Sequence, residues 1–280
     1  MIPWATRLSI IIVCGIAIFL LVGCSALEDD VQQAEEQAAE DVANDTAESL
    51  YERALASFAE KEYKGAIEEF EAVEQQHPYS EWAKRGQIMA AYSAYRVQEF
   101  DTAISILERF AKLHPNHPST PYAYYLRALS YYDQISDVGR DQKMTQEARQ
   151  ALREVVGRYP DSNYARDAQL KLELTEDHLA GKEMEIGRYY LMRDEYLASI
   201  NRFKRVVEQY QTTSHIPEAL HRLVEAYMKL GVRDEAEKYA AVLGYNYPGS
   251  EWYEYSYALL NPGQARAEAG AKDESWYEVF

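Results

Sequence analysis

One spacing recurs five times along this chain. A small residue is followed by an apolar residue four positions on, a second apolar residue at seven, and a turn residue at twelve, which is proline in four of the five cases. The anchors are Ala66-Phe70-Val73-Pro78, Ala103-Leu107-Phe110-Pro115, Ala148-Leu152-Val155-Pro160, Ser199-Phe203-Val206-Gln211 and Ala236-Ala240-Leu243-Pro248. Positions i, i+4 and i+7 lie on one face of an α-helix, so each set is the buried stripe of one helix. The small residue lets a neighbouring helix approach. The proline cannot continue a helix and so closes the unit. A repeated offset of this kind specifies a stack of helix pairs, each covering the next, rather than one core around a catalytic cleft.

This is the signature of the tetratricopeptide repeat. The expected fold is all-α, a right-handed superhelical solenoid of five such helix pairs over residues 48–260. Ala66 to Ala103 and Ser199 to Ala236 are both 37 residues, about three more than the usual period of about 34. Ala103 to Ala148 is 45, and the excess falls in Asp133–Lys143, which reads as a loop between two helices. Ala148 to Ser199 is 51, and its excess lies between Asn163 and Arg193. That excess is close to four helical turns, so the segment is either one long helix or two helices broken at Gly181. Ser250–Leu260 reads as a capping helix over the apolar face of the last repeat.

The N-terminus is a targeting segment. Arg7 precedes an apolar run from Leu8 to Leu21, which ends in Leu21-Val22-Gly23-Cys24. A short basic region, an apolar stretch and a small-residue cleavage site make a secretory signal, here residues 1–23. Leu-Val-Gly-Cys resembles the bacterial lipobox. That resemblance implies cleavage before Cys24, diacylglycerol on its thiol and acylation of the new amino group. By the same resemblance Ser25 does not retain the protein in the inner membrane, and the implied address is the periplasmic face of the outer membrane. Each buried CH₂ of the acyl chains contributes about 0.8 kcal/mol to anchoring. Cys14 and Cys24 are the only cysteines in the chain, so the repeats can hold no disulfide. Residues 24–47 are acidic, rich in Ala and Gln, and read as a flexible tether. Residues 261–280 read as a disordered tail with an aromatic tip, Trp276-Tyr277 to Phe280.

Composition narrows the partners. The chain has 29 basic and 46 acidic residues, a formal net charge of −17. Such an excess argues against nucleic acid or anionic lipid as the main partner. Tyrosine is abundant, at 24 residues, and several fall on first helices of repeats: Tyr92, Tyr95, Tyr122, Tyr124, Tyr125, Tyr131 and Tyr132. In this architecture first helices line the concave surface, and tyrosine offers apolar area with a hydroxyl, which suits an extended peptide. The same spacing also allows packing between helices. Chemistry is scarce. His114 and His117 have HxxH spacing, but each precedes a proline in a turn. There is no HExxH, GxSxG or phosphate-binding glycine loop. No enzyme, cofactor or metal site is expected.

The segment Leu113-His114-Pro115-Asn116-His117-Pro118 through Tyr122, Tyr124, Tyr125 and Arg127 resembles the junction of the second and third repeats in the BamD (ComL) lipoproteins. Asp137-Val-Gly-Arg140-Asp141 matches that family's polar insertion. Tyr159-Pro160-Asp161-Ser162-Asn163-Tyr164 matches the next junction, and Asn201-Arg202 a motif on the second helix of repeat four. The resemblance runs from Cys24 to about residue 250. It implies a non-enzymatic subunit of the outer-membrane β-barrel assembly machine, partnered with other lipoproteins of that complex. The subunit would dock on the periplasmic domain of BamA through its C-terminal repeats, at Arg202. Its N-terminal repeats would bind C-terminal segments of unfolded outer-membrane proteins. The groove expected for that client is Tyr92, Tyr95, Arg96, Tyr124 and Tyr125, with Arg96 pairing the client carboxylate. Two other classes remain open on the sequence: a repeat lipoprotein of the cell-wall or division machinery, and a lipoprotein enzyme with a helical scaffold.

Overall fold

The computed structural model describes residues 46–263. Cys24, the signal segment, nearly all of the tether and the aromatic tip lie outside the described residues. Among the described residues the fold is all-helical. In chain order the helices are α1 (Ala47–Ala59), α2 (Tyr63–Gln76), α3 (Glu81–Arg96), α4 (Phe100–Leu113), α5 (Thr120–Tyr132), α6 (Lys143–Arg158), α7 (Ala165–Met192), α8 (Tyr196–Gln209), α9 (Ile216–Lys229), α10 (Arg233–Asn246) and α11 (Glu251–Leu260). The five anchor sets fall on α2, α4, α6, α8 and α10, the second helix of each pair, and all fifteen small or apolar anchor residues are buried.

The helix ends repeat as faithfully as the stripes. Each second helix closes on a residue of one backbone conformation: His77 (φ −133°), His114 (−128°), Tyr159 (−131°), Tyr210 (−131°) and Tyr247 (−134°). A residue before proline is driven out of the helical region, which accounts for four of these. Tyr210 precedes Gln211 and has the same conformation without a proline. At all five ends the amide three residues on donates to the closing residue's carbonyl, here Thr213 at 3.1 Å, and at this end the Thr213 hydroxyl donates to it as well, at 2.8 Å.

Within the pairs, the turn uses a left-handed residue. Lys61, Gln98, Asp194 and Gly231 have φ between 61° and 75°. The next amide in each case reaches back into the preceding helix, as Glu99 N–H does to Ala94 C=O at 2.9 Å. This satisfies a carbonyl that the helix end would otherwise leave unpaired. The third pair lacks this turn. There Asp133–Gln142 connects α5 to α6, the loop read from the sequence.

The chain divides between Met89 and Ala90 into two compact units. In the first, Leu50, Val73 and Ala83 form a small core, with Tyr51 and Trp82 packed against it at 5.1 Å between ring centroids. In the second, neighbouring helices pack in chain order from α4 to α10, and α11 covers α9 and α10 as the expected cap.

Of the two readings of 163–193, the structure has the single helix. α7 is 28 residues long, about 42 Å at 1.5 Å per residue. Ala168 and Leu172 join the core formed with Ala128, Ala151, Leu152 and Val155. Further along the same helix Leu179, Ala180 and Met184 join the core of α8 and α9. Met184 is about 120° around the helix from Leu172, so the buried face turns as α7 passes from one core to the next. Gly181 does not break the helix; Lys182 beside it donates to the Gly139 carbonyl at 3.2 Å and ties down the insertion loop.

Candidate functional site

Tyr92 and Tyr95 on α3, and Tyr122 and Tyr125 on α5, are each three residues apart, so each pair shares one helix face. The Tyr92 and Tyr95 rings stack at 6.4 Å and 21°. At the start of α7, Tyr164 stacks on Tyr125 at 5.1 Å and meets Tyr122 at 5.4 Å. Tyr122 lies close enough to Tyr95 to raise its cost of ionisation. Five phenols from three successive first helices thus form one half-buried aromatic surface.

Two carboxylates brace it. Tyr95 donates its phenolic proton to Asp133 Oδ2, and Tyr125 to Asp167 Oδ2, each at 2.5 Å. Asp133 closes α5 and Asp167 sits in the first turn of α7, so each bond joins one first helix to the next. Burial, then the bond to the aspartate, pushes both phenols well above the ordinary value. Burial, with Tyr92 and Tyr164 nearby, pushes Tyr122 up to about 12. The Tyr125 bond, helped by Lys171 at 3.0 Å, holds Asp167 below the usual carboxylate range. The two phenols therefore keep their protons and point them at the aspartates, and the remaining lone pairs make the surface rich in hydrogen-bond acceptors.

The residues expected from the sequence separate into two groups. Tyr92, Tyr95 and Tyr125 lie on this surface, and Arg96 is beside it, its guanidinium 5.8 Å over the Tyr92 ring. Tyr124 is not brought there. Its ring packs on Tyr159 at 5.3 Å, with Arg127 and Arg158 stacked over it at 4.9 and 5.3 Å. Adjacent helical residues point about 100° apart, so Tyr124 and Tyr125 cannot serve one face. Tyr122, Tyr164, Asp133 and Asp167 belong to the surface and were not among the expected residues. The three-residue spacing of Tyr122 and Tyr125 was a legible signal for the first of these.

Arg202 lies on α8, where its Nη1 donates to Glu183 Oε2 at 3.0 Å while Arg205 donates to the other oxygen at 2.8 Å. Two guanidiniums share one largely buried carboxylate, which leaves one positive charge at the helix surface. His114 and His117 pack their rings on Phe110, at 5.1 and 5.4 Å. Among the described residues no group of three or more His, Cys, Asp or Glu is placed to hold a metal ion. Among the same residues no helix is long and apolar enough to cross a membrane.

Residues 43–243 match the family described as YfiO, outer membrane lipoprotein. The chain belongs to this family. The YfiO match includes the whole tyrosine surface and Arg202, and Cys24 lies upstream of it. Over 230 residues the chain is 49% identical to the outer membrane protein assembly factor BamD of Caulobacter vibrioides, covering 80% of this chain and 75% of that one. It is 48% identical over 212 residues to the protein of that name from Rickettsia prowazekii, covering 76% and 84%. The Neisseria meningitidis serogroup A protein is 36% identical over 220 residues, covering 75% and 82%. Among solved structures, a thermophilic tetratricopeptide-repeat protein of Thermus thermophilus overlays with a TM-score of 0.36 and 16% identity, covering 77% of this chain and 99% of that one.

Proposed function

We propose that this chain is a lipid-anchored assembly factor for outer-membrane β-barrel proteins, held at the periplasmic face of the outer membrane through Cys24. It binds and positions; it does not catalyse. The observation that carries the reading is the aspartate-braced tyrosine surface, in a chain whose relatives are named as outer-membrane assembly factors. Alternate side chains of an extended strand are about 6.6–6.8 Å apart on one face, and the stacked phenol rings are 5.1 to 6.4 Å apart. A strand laid along the surface sets its apolar side chains against successive rings. Its free N–H edge meets tyrosine and aspartate acceptors, which keeps that edge from pairing with another strand. Arg96, held over Tyr92, supplies a cation for a terminal carboxylate. Arg202, with Arg205, forms the docking point for the periplasmic domain of BamA.

The test is a titration of the chain with a labelled C-terminal peptide of a β-barrel protein, as free acid and as amide. The expected result is tighter binding of the acid, and weaker binding of both by Tyr95→Ala with Tyr125→Ala. Undiminished binding by that folded double variant would remove the surface from the client site. Equal affinity for acid and amide would remove Arg96 alone.

A further inference from the structure

The outward face of α6 carries a second feature, outside the tyrosine surface. The inward face buries Thr145, Ala148, Ala151, Leu152 and Val155. Along the other side runs an open groove of about 450 Å³, lined by one row of three residues, Arg149, Arg153 and Gly157, and one of four, Gln146, Gln150, Glu154 and Arg158. It contains no large apolar side chain. In a chain with 46 acidic and 29 basic residues, a cleft with three arginines and one glutamate is locally opposite in sign to the whole.

The partners of these groups make the difference. Glu154 is already neutralised by Arg127, at 2.6 Å, and Arg153 is paired with Glu176. Arg149 and Arg158 are held instead by neutral phenols. Arg149 lies 5.8 Å over the Tyr210 ring and donates to its hydroxyl at 3.5 Å. Arg158 lies 5.3 Å over the Tyr124 ring and donates to its hydroxyl at 3.2 Å. Among the described residues neither is paired with a carboxylate. A ring face orients a guanidinium without cancelling its charge, so both are poised for an anion. Between them Gly157 leaves the floor open: a Cβ built there meets nothing within 4 Å.

We propose that this face of α6 is a docking site for an acidic, extended segment of a partner protein, with Arg149 and Arg158 each taking a carboxylate. The two arginines are nine residues apart, about 13–14 Å along the helix and about 180° around it. They therefore flank the open face from opposite sides, and the fitting segment crosses α6 obliquely with an acidic side chain toward each flank. Gln146 and Gln150 offer amides to its backbone. The chain's net charge of −17 disfavours a planar anionic membrane, which would face the whole acidic surface, over a peptide that meets the arginines alone.

The probe is a fluorescent aspartate-rich extended peptide, read by anisotropy on the full-length chain, with the asparagine peptide and phosphatidylglycerol vesicles as comparisons. The aspartate peptide should bind, more weakly as salt rises, and the asparagine peptide at least about tenfold less well. Arg149→Gln with Arg158→Gln should lower affinity by at least about tenfold. Those arginines also pack on tyrosines, so a second variant is needed. Gly157→Glu puts a carboxylate on the open floor without disturbing packing, and should weaken the aspartate peptide to the same degree while leaving barrel-peptide binding unchanged. Equal binding of the two peptides, full binding by Gly157→Glu, or binding to the vesicles alone would each overturn the proposal.

Discussion

Tyr125 gives its phenolic proton to Asp167 across the step from α5 to α7, at 2.5 Å. Tyr95 does the same to Asp133 across the step from α3 to α5. A hydroxyl that only packed would need no such partner. These two bonds join successive first helices and fix which atoms the tyrosine surface presents.

Tyr125→Phe should lower stability by about 1 kcal/mol, below the usual range for a bond to a charged group because the pair is partly exposed. Its pH dependence has two limbs. Asp167 is held low in the folded state, so its contribution is complete above the unfolded carboxylate value of about 3.9 and is lost as pH falls through the folded value. Tyr125 is held high, so its contribution is complete below about 10 and is lost as pH rises toward the folded value. Thermal melts of both proteins between pH 3 and 11 should show the gap narrowing at each end. A constant gap would mean that the bond does not form.

Gly187→Ala should destabilise by about 1–3 kcal/mol, although alanine is the better helix former by about 1 kcal/mol. A Cβ at Gly187 would lie 2.4 Å from Cε1 of the fully buried Phe203. Gly157→Ala is the control on α6, where the Cβ meets nothing; urea melts should show it neutral or stabilised. The same sign for both would put α8 further from α7 than this packing has it.

Ala103→Leu should cost about 1–3 kcal/mol through overpacking. Ala103 is completely buried on α4, where the recurring small residue admits the neighbouring helix. A thermal midpoint unchanged by the extra three carbons would argue against that role.

Arg202→Gln should reduce recovery of BamA with the detergent-solubilised chain while changing the melting temperature little, because Arg205 still neutralises Glu183. Arg202→Glu sets a second carboxylate against Glu183 and should both weaken docking and lower stability. Normal BamA recovery with Arg202→Gln would take Arg202 out of the interface.

If acyl chains on Cys24 are the anchor, as proposed, Cys24→Ser should leave the chain folded and release it from the membrane fraction. Membrane-bound Cys24→Ser protein, in cells where signal processing is inhibited as well as in untreated ones, would contradict the anchor.

The repeat architecture was legible because it is written in local spacing. The i, i+4, i+7 stripes of α2, α4, α6, α8 and α10 depend only on helical period, and every small or apolar anchor is buried where that period puts it. The loop at Asp133–Gln142 and the cap at Glu251–Leu260 follow from the same count. For 163–193 the count could not choose. One helix and two satisfy the same length, and a single helix is decided by two cores, around Leu172 and Met184, that α7 meets on faces about 120° apart.

The sequence by itself determined the helix pairs and the abundance of tyrosine on first helices. It left Tyr124 and Tyr125 equivalent, because neighbours of one type look alike until a helix is rotated against its partners. Tertiary structure decided that Tyr125 meets Asp167, 42 residues away, and that Tyr124 meets Arg158, 34 residues away. It also decided that Arg202 shares Glu183 with Arg205. Helical period is a property of adjacent residues and can be read along the chain. The partner of a side chain is a property of how helices stack, and no local spacing encodes it.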